Sequence, residues 1–101
     1  MKDSPAFFYI IYSPSLDRFY SGITSKDFKL RLEKHNFAAY GKHFTSQASD
    51  WEERLVLSFN SYSLARKAEL YVKQMKSRKF IEKLINNKSE QLIFISKIMS
   101  I

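Results

Sequence analysis

Five polar side chains stand out by type and spacing: Tyr9, Tyr20, Arg31, His35 and Glu69. Splitting a phosphodiester needs a group that deprotonates water, a cation set against the developing charge, and a carboxylate able to hold a metal. Tyr9 and Tyr20 lie eleven positions apart in two segments that read as adjacent antiparallel strands, so their hydroxyls border one site if the register allows. The alternative is two core aromatics, each with its hydroxyl satisfied. Arg31 and His35 are i and i+4 and share a helix face, where they either line a cleft together or serve as a surface arginine and a histidine near the helix end. Glu69 sits at the edge of an apolar helix stripe; it either reaches a cleft or pairs on the surface with Arg66 and Lys73. Other routes are closed. The sequence has no cysteine and no G-x-S-x-G elbow, and His35 and His43 lack zinc-type spacing. Gly41-Lys42 lacks the upstream glycine of a phosphate-cradling loop.

The elements that must position these groups follow from pattern. Phe7 to Tyr12 is aromatic and β-branched without polar interruption, which predicts a buried central strand ending at Ser13-Pro14-Ser15. Phe19 to Ile23 predicts a second strand and a hairpin. Thr24-Ser25 offers a cap for a helix over Lys26 to Asn36, and 37–50 reads as a loop around Gly41. Glu53 to Asn60 predicts a third strand. Ser63 is expected to cap a second helix with the stripe Leu64, Ala68, Tyr71, Val72 and Met75, and Ser77 a third with Phe80, Ile81, Leu84 and Ile85 facing inward. The expectation is an α+β fold with a small three-stranded, mainly antiparallel sheet flanked by helices, in the order β-β-α-β-α-α. Residues 1–89 form the expected domain. The apolar stretch 90–101, in which periodicity does not separate helix from strand, is expected to pack on it or to self-associate.

Length fits one domain with one core, and 45% apolar and 27% charged residues suit a globular chain. The absence of cysteine excludes disulfides and is compatible with a reducing compartment, so a cytoplasmic setting is expected. The apolar run after Met1-Lys2-Asp3-Ser4-Pro5 is too short for a membrane span, and no targeting segment is expected. Net charge is +7, and residues 64–90 hold eight Lys/Arg against three acids, so five of the excess charges lie there. Such a stripe attracts a polyphosphate backbone, or serves solubility alone.

The sequence resembles a GIY-YIG nuclease domain, of the small stand-alone type related to the N-terminal nuclease domain of the repair excinuclease. The resemblance is carried by Phe8-Tyr9-Ile10-Ile11-Tyr12, Asp17-Arg18-Phe19-Tyr20-Ser21-Gly22-Ile23-Thr24, Arg31-Leu32-Glu33-Lys34-His35-Asn36, Ser63-Leu64-Ala65-Arg66-Lys67-Ala68-Glu69 and Lys73-Gln74-Met75, over about Phe7 to Asn86. It implies that Tyr9 and Tyr20 hold the motif's tyrosine positions and that one of the two helps activate water. The resemblance further implies Gly22 as the motif glycine, Arg31 as the stabiliser of phosphorane-like charge, His35 as an aid to proton transfer or a phosphate ligand, and Glu69 as the holder of Mg²⁺ or Mn²⁺. Lys42, Lys73, Lys76, Arg78 and Lys79 are expected to contact the nucleic acid, and Asn86 to approach the site. The chain departs from the family pattern at Phe7-Phe8, at Ser21, at Ile23 where some members carry lysine, and at acidic 49–53, which is expected to repel a phosphate backbone. The implied function is a metal-dependent DNA endonuclease in DNA repair or processing, acting on branched or damaged DNA, with a protein partner for targeting and no membrane. The alternatives are a non-catalytic nucleic-acid-binding module on the same fold and a structural, self-associating domain.

Overall fold

An uninterrupted aromatic and β-branched run suits a strand covered on both faces, and Ala6–Ser13 forms it as β1. The computed structural model describes residues 5–25, 27–36 and 48–100. In it β1 is the middle strand of a three-stranded sheet flanked by β2 (Arg18–Thr24) and β3 (Glu52–Phe59), both antiparallel to it. Side chains alternate across β1. Ala6, Phe8 and Ile10 enter a large core, while Tyr9 and Ile11 enter a smaller one with Phe28 and Trp51. The register with β3 passes from Ile10↔Leu55 to Ile11↔Glu53, a bulge that skips Arg54.

One helix covers the smaller core and three cover the larger. Helix α1 (Phe28–Asn36) lies on the side of Tyr9, and α2 (Tyr62–Met75), α3 (Arg78–Asn86) and α4 (Lys88–Ser100) lie on the side of Phe8. The order β-β-α-β-α-α-α is the expected α+β arrangement with one more helix, formed by the undecided tail. Phe94 and Ile98 of α4 are buried, and the Phe94 ring lies 5.8 Å from Phe8, 5.7 Å from Tyr71 and 6.2 Å from Phe80. No helix among the described residues is long and apolar enough to cross a membrane.

The helix starts differ from expectation in instructive ways. Thr24 belongs to β2, and α1 is capped by Asp27, whose Oδ1 accepts from the Lys29 N–H at 2.8 Å. Ser61 rather than Ser63 caps α2, accepting from Leu64 N–H at 3.3 Å. The two serines compete for the same role, and the one that precedes the first helical residue takes it. Met75 is 44% exposed, so the buried stripe of α2 is Ala65, Ala68 and Val72. Ser77 caps α3 as expected, accepting from Phe80 N–H at 3.1 Å. Asn87 Oδ1 accepts from Glu90 N–H at 3.2 Å and starts α4, and the Gln91 amide donates to the carbonyls of Leu84 and Ile85 at the end of α3.

Two aspartates fix the β1–β2 turn. Asp50 accepts from Ser13 Oγ at 2.6 Å, Ser15 N–H at 2.8 Å and Ser15 Oγ at 3.0 Å. Asp17, itself at positive φ (52°), accepts from Tyr12 Oη at 2.6 Å and pairs with Arg78 at 2.7 Å. The Arg78 guanidinium and then Tyr12 hold the Asp17 carboxyl below its usual range, and the Ser13 hydroxyl chiefly does so for Asp50. A folded-state pKa below the unfolded one means a contribution that is complete above the unfolded value of about 3.9 and is lost as pH falls through the lower folded value. Thermal unfolding followed by circular dichroism should therefore show a midpoint that drops below about pH 4, and the double variant Asp17→Asn/Asp50→Asn should start lower at pH 7 and drop less steeply.

Candidate active site

Strand register decides where the two tyrosines meet. Tyr9 pairs with Gly22 and Tyr20 pairs with Ile11, so both rings stand on the α1 face of the sheet as diagonal neighbours. Tyr9 has no exposed surface. A Cβ built on Gly22 would lie 2.6 Å from the Tyr9 hydroxyl and 2.7 Å from Cζ, so the tyrosine lies against the glycine backbone where any side chain would stand. Gly22 is thus needed for close approach to the Tyr9 ring.

The helix supplies the polar partners. His35, 2% exposed in the last turn of α1, puts Nε2 2.8 Å from the Tyr9 hydroxyl. Arg31, one turn earlier, donates from Nε to the same oxygen at 3.4 Å. The i, i+4 spacing read from the sequence therefore converges on one phenol. Arg31 only donates, so the phenol oxygen accepts from it and exchanges its second hydrogen bond with His35. Tyr20 lies edge-on to the His35 ring at 5.4 Å and to Trp51 at 6.4 Å.

Asn36 and Trp51 complete this arrangement and escaped the sequence reading. The Asn36 side chain accepts from Trp51 N–H at 2.6 Å and donates to the Trp51 carbonyl at 3.0 Å, tying the end of α1 to the start of β3. The signal present was an amide next to His35, but its partner lies 15 residues away.

Glu69 is 7% exposed on the buried edge of α2. It is buried, and it also pairs with Arg66 at 2.9 Å and Lys73 at 3.3 Å. The Lys73 ammonium lies 5.7 Å from the Tyr20 ring centroid and so joins the carboxylate to the tyrosine cluster. Among the described residues no group of three or more His, Asp or Glu comes together. Mg²⁺ is commonly held by one or two carboxylates, with phosphate and water filling the remaining positions. Glu69 fits that one-carboxylate arrangement, because each oxygen accepts one hydrogen bond and keeps a further lone pair.

The basic residues divide. Arg78 is committed to Asp17 at 2.7 Å and Glu82 at 3.1 Å and stacks over Phe19 at 5.2 Å, which makes it a clamp between α3 and the β1–β2 turn. Lys73 and Lys76 line an open groove between β2 and the α2–α3 corner, and Lys79 is exposed on α3. Lys42 lies outside the described residues, as does most of the loop expected over 37–50. Asn86 lines a depression with Tyr12, Phe19 and Arg54, on the face of the sheet opposite Tyr9. In the acidic segment Asp50 is bound to Ser13 and Ser15, and Glu52 pairs with Arg54 at 2.8 Å.

Gly22→Ala tests the packing at the centre of this cluster. It should lower stability by about 1–3 kcal/mol in urea denaturation and shift the NMR resonances of the His35 ring, since Tyr9 has to move.

No curated protein and no solved structure matches the chain. The family model of the GIY-YIG catalytic domain matches residues 5–93, a span that takes in all three strands and helices α1 to α3. With Tyr9, Gly22, Arg31, His35 and Glu69 inside that span, the chain belongs to the GIY-YIG family, whose domains have a nuclease-type fold.

Proposed function

We propose that the protein is a metal-dependent DNA endonuclease in which Tyr9, Tyr20, Arg31, His35 and Glu69 serve one hydrolytic site. The observation that carries this reading is the buried Tyr9 hydroxyl shared by His35 and Arg31. A phenol that only filled a core would need one partner; this one has an imidazole nitrogen at 2.8 Å and a permanent cation beside it.

His35 takes the Tyr9 proton at Nε2, and the Arg31 guanidinium steadies the phenolate oxygen left behind. Because Tyr9 is sealed from solvent, the attacking water reaches that oxygen and gives it a proton only once bound substrate parts the side chains that cover it. Arg31 also faces the charge that builds on the phosphate in the transition state. Tyr20 packs against His35 and keeps the imidazole oriented. Glu69 would hold Mg²⁺ or Mn²⁺, which supplies positive charge to the phosphoryl oxygens when bound. The groove lined by Lys73 and Lys76 supports backbone contacts at the β2 edge, whereas Arg78 acts in folding. A cysteine-free sequence agrees with a cytoplasmic role in DNA repair or processing, with branched or damaged DNA as substrate and targeting supplied by a partner.

Cleavage of nicked, flapped and branched DNA in Mg²⁺ or Mn²⁺ tests this. Arg31→Ala, His35→Ala and Glu69→Ala should each lower the rate by about 100-fold or more, while binding measured by fluorescence anisotropy is retained. Equal residual cleavage in wild type and all three variants would overturn the catalytic reading and leave the non-catalytic alternatives.

A further inference from the structure

Burial is unequal across the Glu69 ion pairs. The Glu69 side chain is 9% exposed, whereas Arg66 and Lys73 are 56% and 50% exposed. An ionised carboxylate this buried needs a counter-charge, because desolvation penalises it when alone. Two half-exposed cations keep much of their hydration and leave at low cost. A divalent cation arriving at Glu69 meets both positive charges within about one side-chain diameter, so it competes with them directly.

Lys73 has a second place to go. It borders the open groove between edge strand β2 and the α2–α3 corner, beside Arg18, Lys76 and Ser77. Lys76 turns that corner at positive φ (49°), which ends α2 one residue before the Ser77 cap of α3. Lys73 therefore touches the carboxylate, faces the Tyr20 ring and lines the groove, all from one position.

We infer that Arg66 and Lys73 are resident counter-ions of Glu69 which a divalent metal displaces, and that Lys73, once displaced, binds a nucleic-acid phosphate in this groove. The inference rests on the reading of Glu69 as the metal-binding carboxylate. Metal frees Lys73 for the phosphate, and phosphate draws Lys73 away from the carboxylate. Each ligand thereby strengthens the other, and the coupling is reciprocal.

Calorimetric titration of Mn²⁺ into the full chain tests it, using wild type, Lys73→Gln, Arg66→Gln and Glu69→Gln, each with and without a nuclease-resistant phosphorothioate duplex. Circular dichroism verifies that each variant is folded. Without DNA, Lys73→Gln and Arg66→Gln should bind Mn²⁺ about three- to tenfold more tightly than wild type. The duplex should tighten Mn²⁺ binding in wild type and Arg66→Gln but not in Lys73→Gln. Unchanged or weaker Mn²⁺ binding in both glutamine variants, with binding abolished in Glu69→Gln, overturns the counter-ion role and leaves the metal reading standing. Wild-type Mn²⁺ affinity in Glu69→Gln overturns the metal reading itself.

Discussion

A phenol hydroxyl sealed from water has to be hydrogen-bonded within the protein or it costs a few kcal/mol. Tyr9 is in that position, with no exposed surface at the middle of the central strand. Much of the local architecture follows from satisfying it. Helix α1 has to cross this face with His35 and Arg31 turned toward the sheet. The neighbouring strand has to present a glycine where the ring passes. Asn36 then has to anchor the helix end to Trp51, since α1 has only a modest apolar surface with which to hold itself in place.

β1 divides the labour between its two faces. Phe8 and Ile10 join the large core under α2, α3 and α4, where Phe94 meets three aromatic rings. That side supplies most of the buried apolar surface and so most of the driving force for folding. The other face is small and carries polar groups within its core, which is tolerable only because the first face is well packed. Glu69 lies between the two, on a helix that belongs to the large core and with a lysine that reaches the Tyr20 ring.

Features set by local pattern were readable in the sequence. The central strand, the hairpin, the third strand and the Ala68 and Val72 face of α2 follow from apolar run and period, and the i, i+4 pair Arg31 and His35 converges as one of the two readings of its spacing allowed. Features set by distant partners were not readable. Arg78 looked like one more cation in a basic stripe, yet its partner Asp17 is 61 residues away. Asp50 looked repulsive to phosphate, yet its carboxylate is turned onto Ser13 and Ser15. The tail was ambiguous because α4 is apolar around much of its circumference, with Leu92, Ile93 and Met99 exposed while Phe94 and Ile98 are buried. Without a polar face, a helix has no period to read.

The bulge in β3 has a consequence beyond the register with β1. A three-stranded sheet has two open rims, and an open rim can recruit a strand from another molecule. At its entry β3 carries Glu52, Glu53 and the skipped Arg54, all exposed. Charge together with a local kink makes that stretch a poor template for edge-to-edge pairing. Glu52 and Glu53, whose charge looked like an obstacle to a phosphate backbone, thus work with Arg54 as a guard against aggregation, keeping a small sheet from growing outward into fibrils.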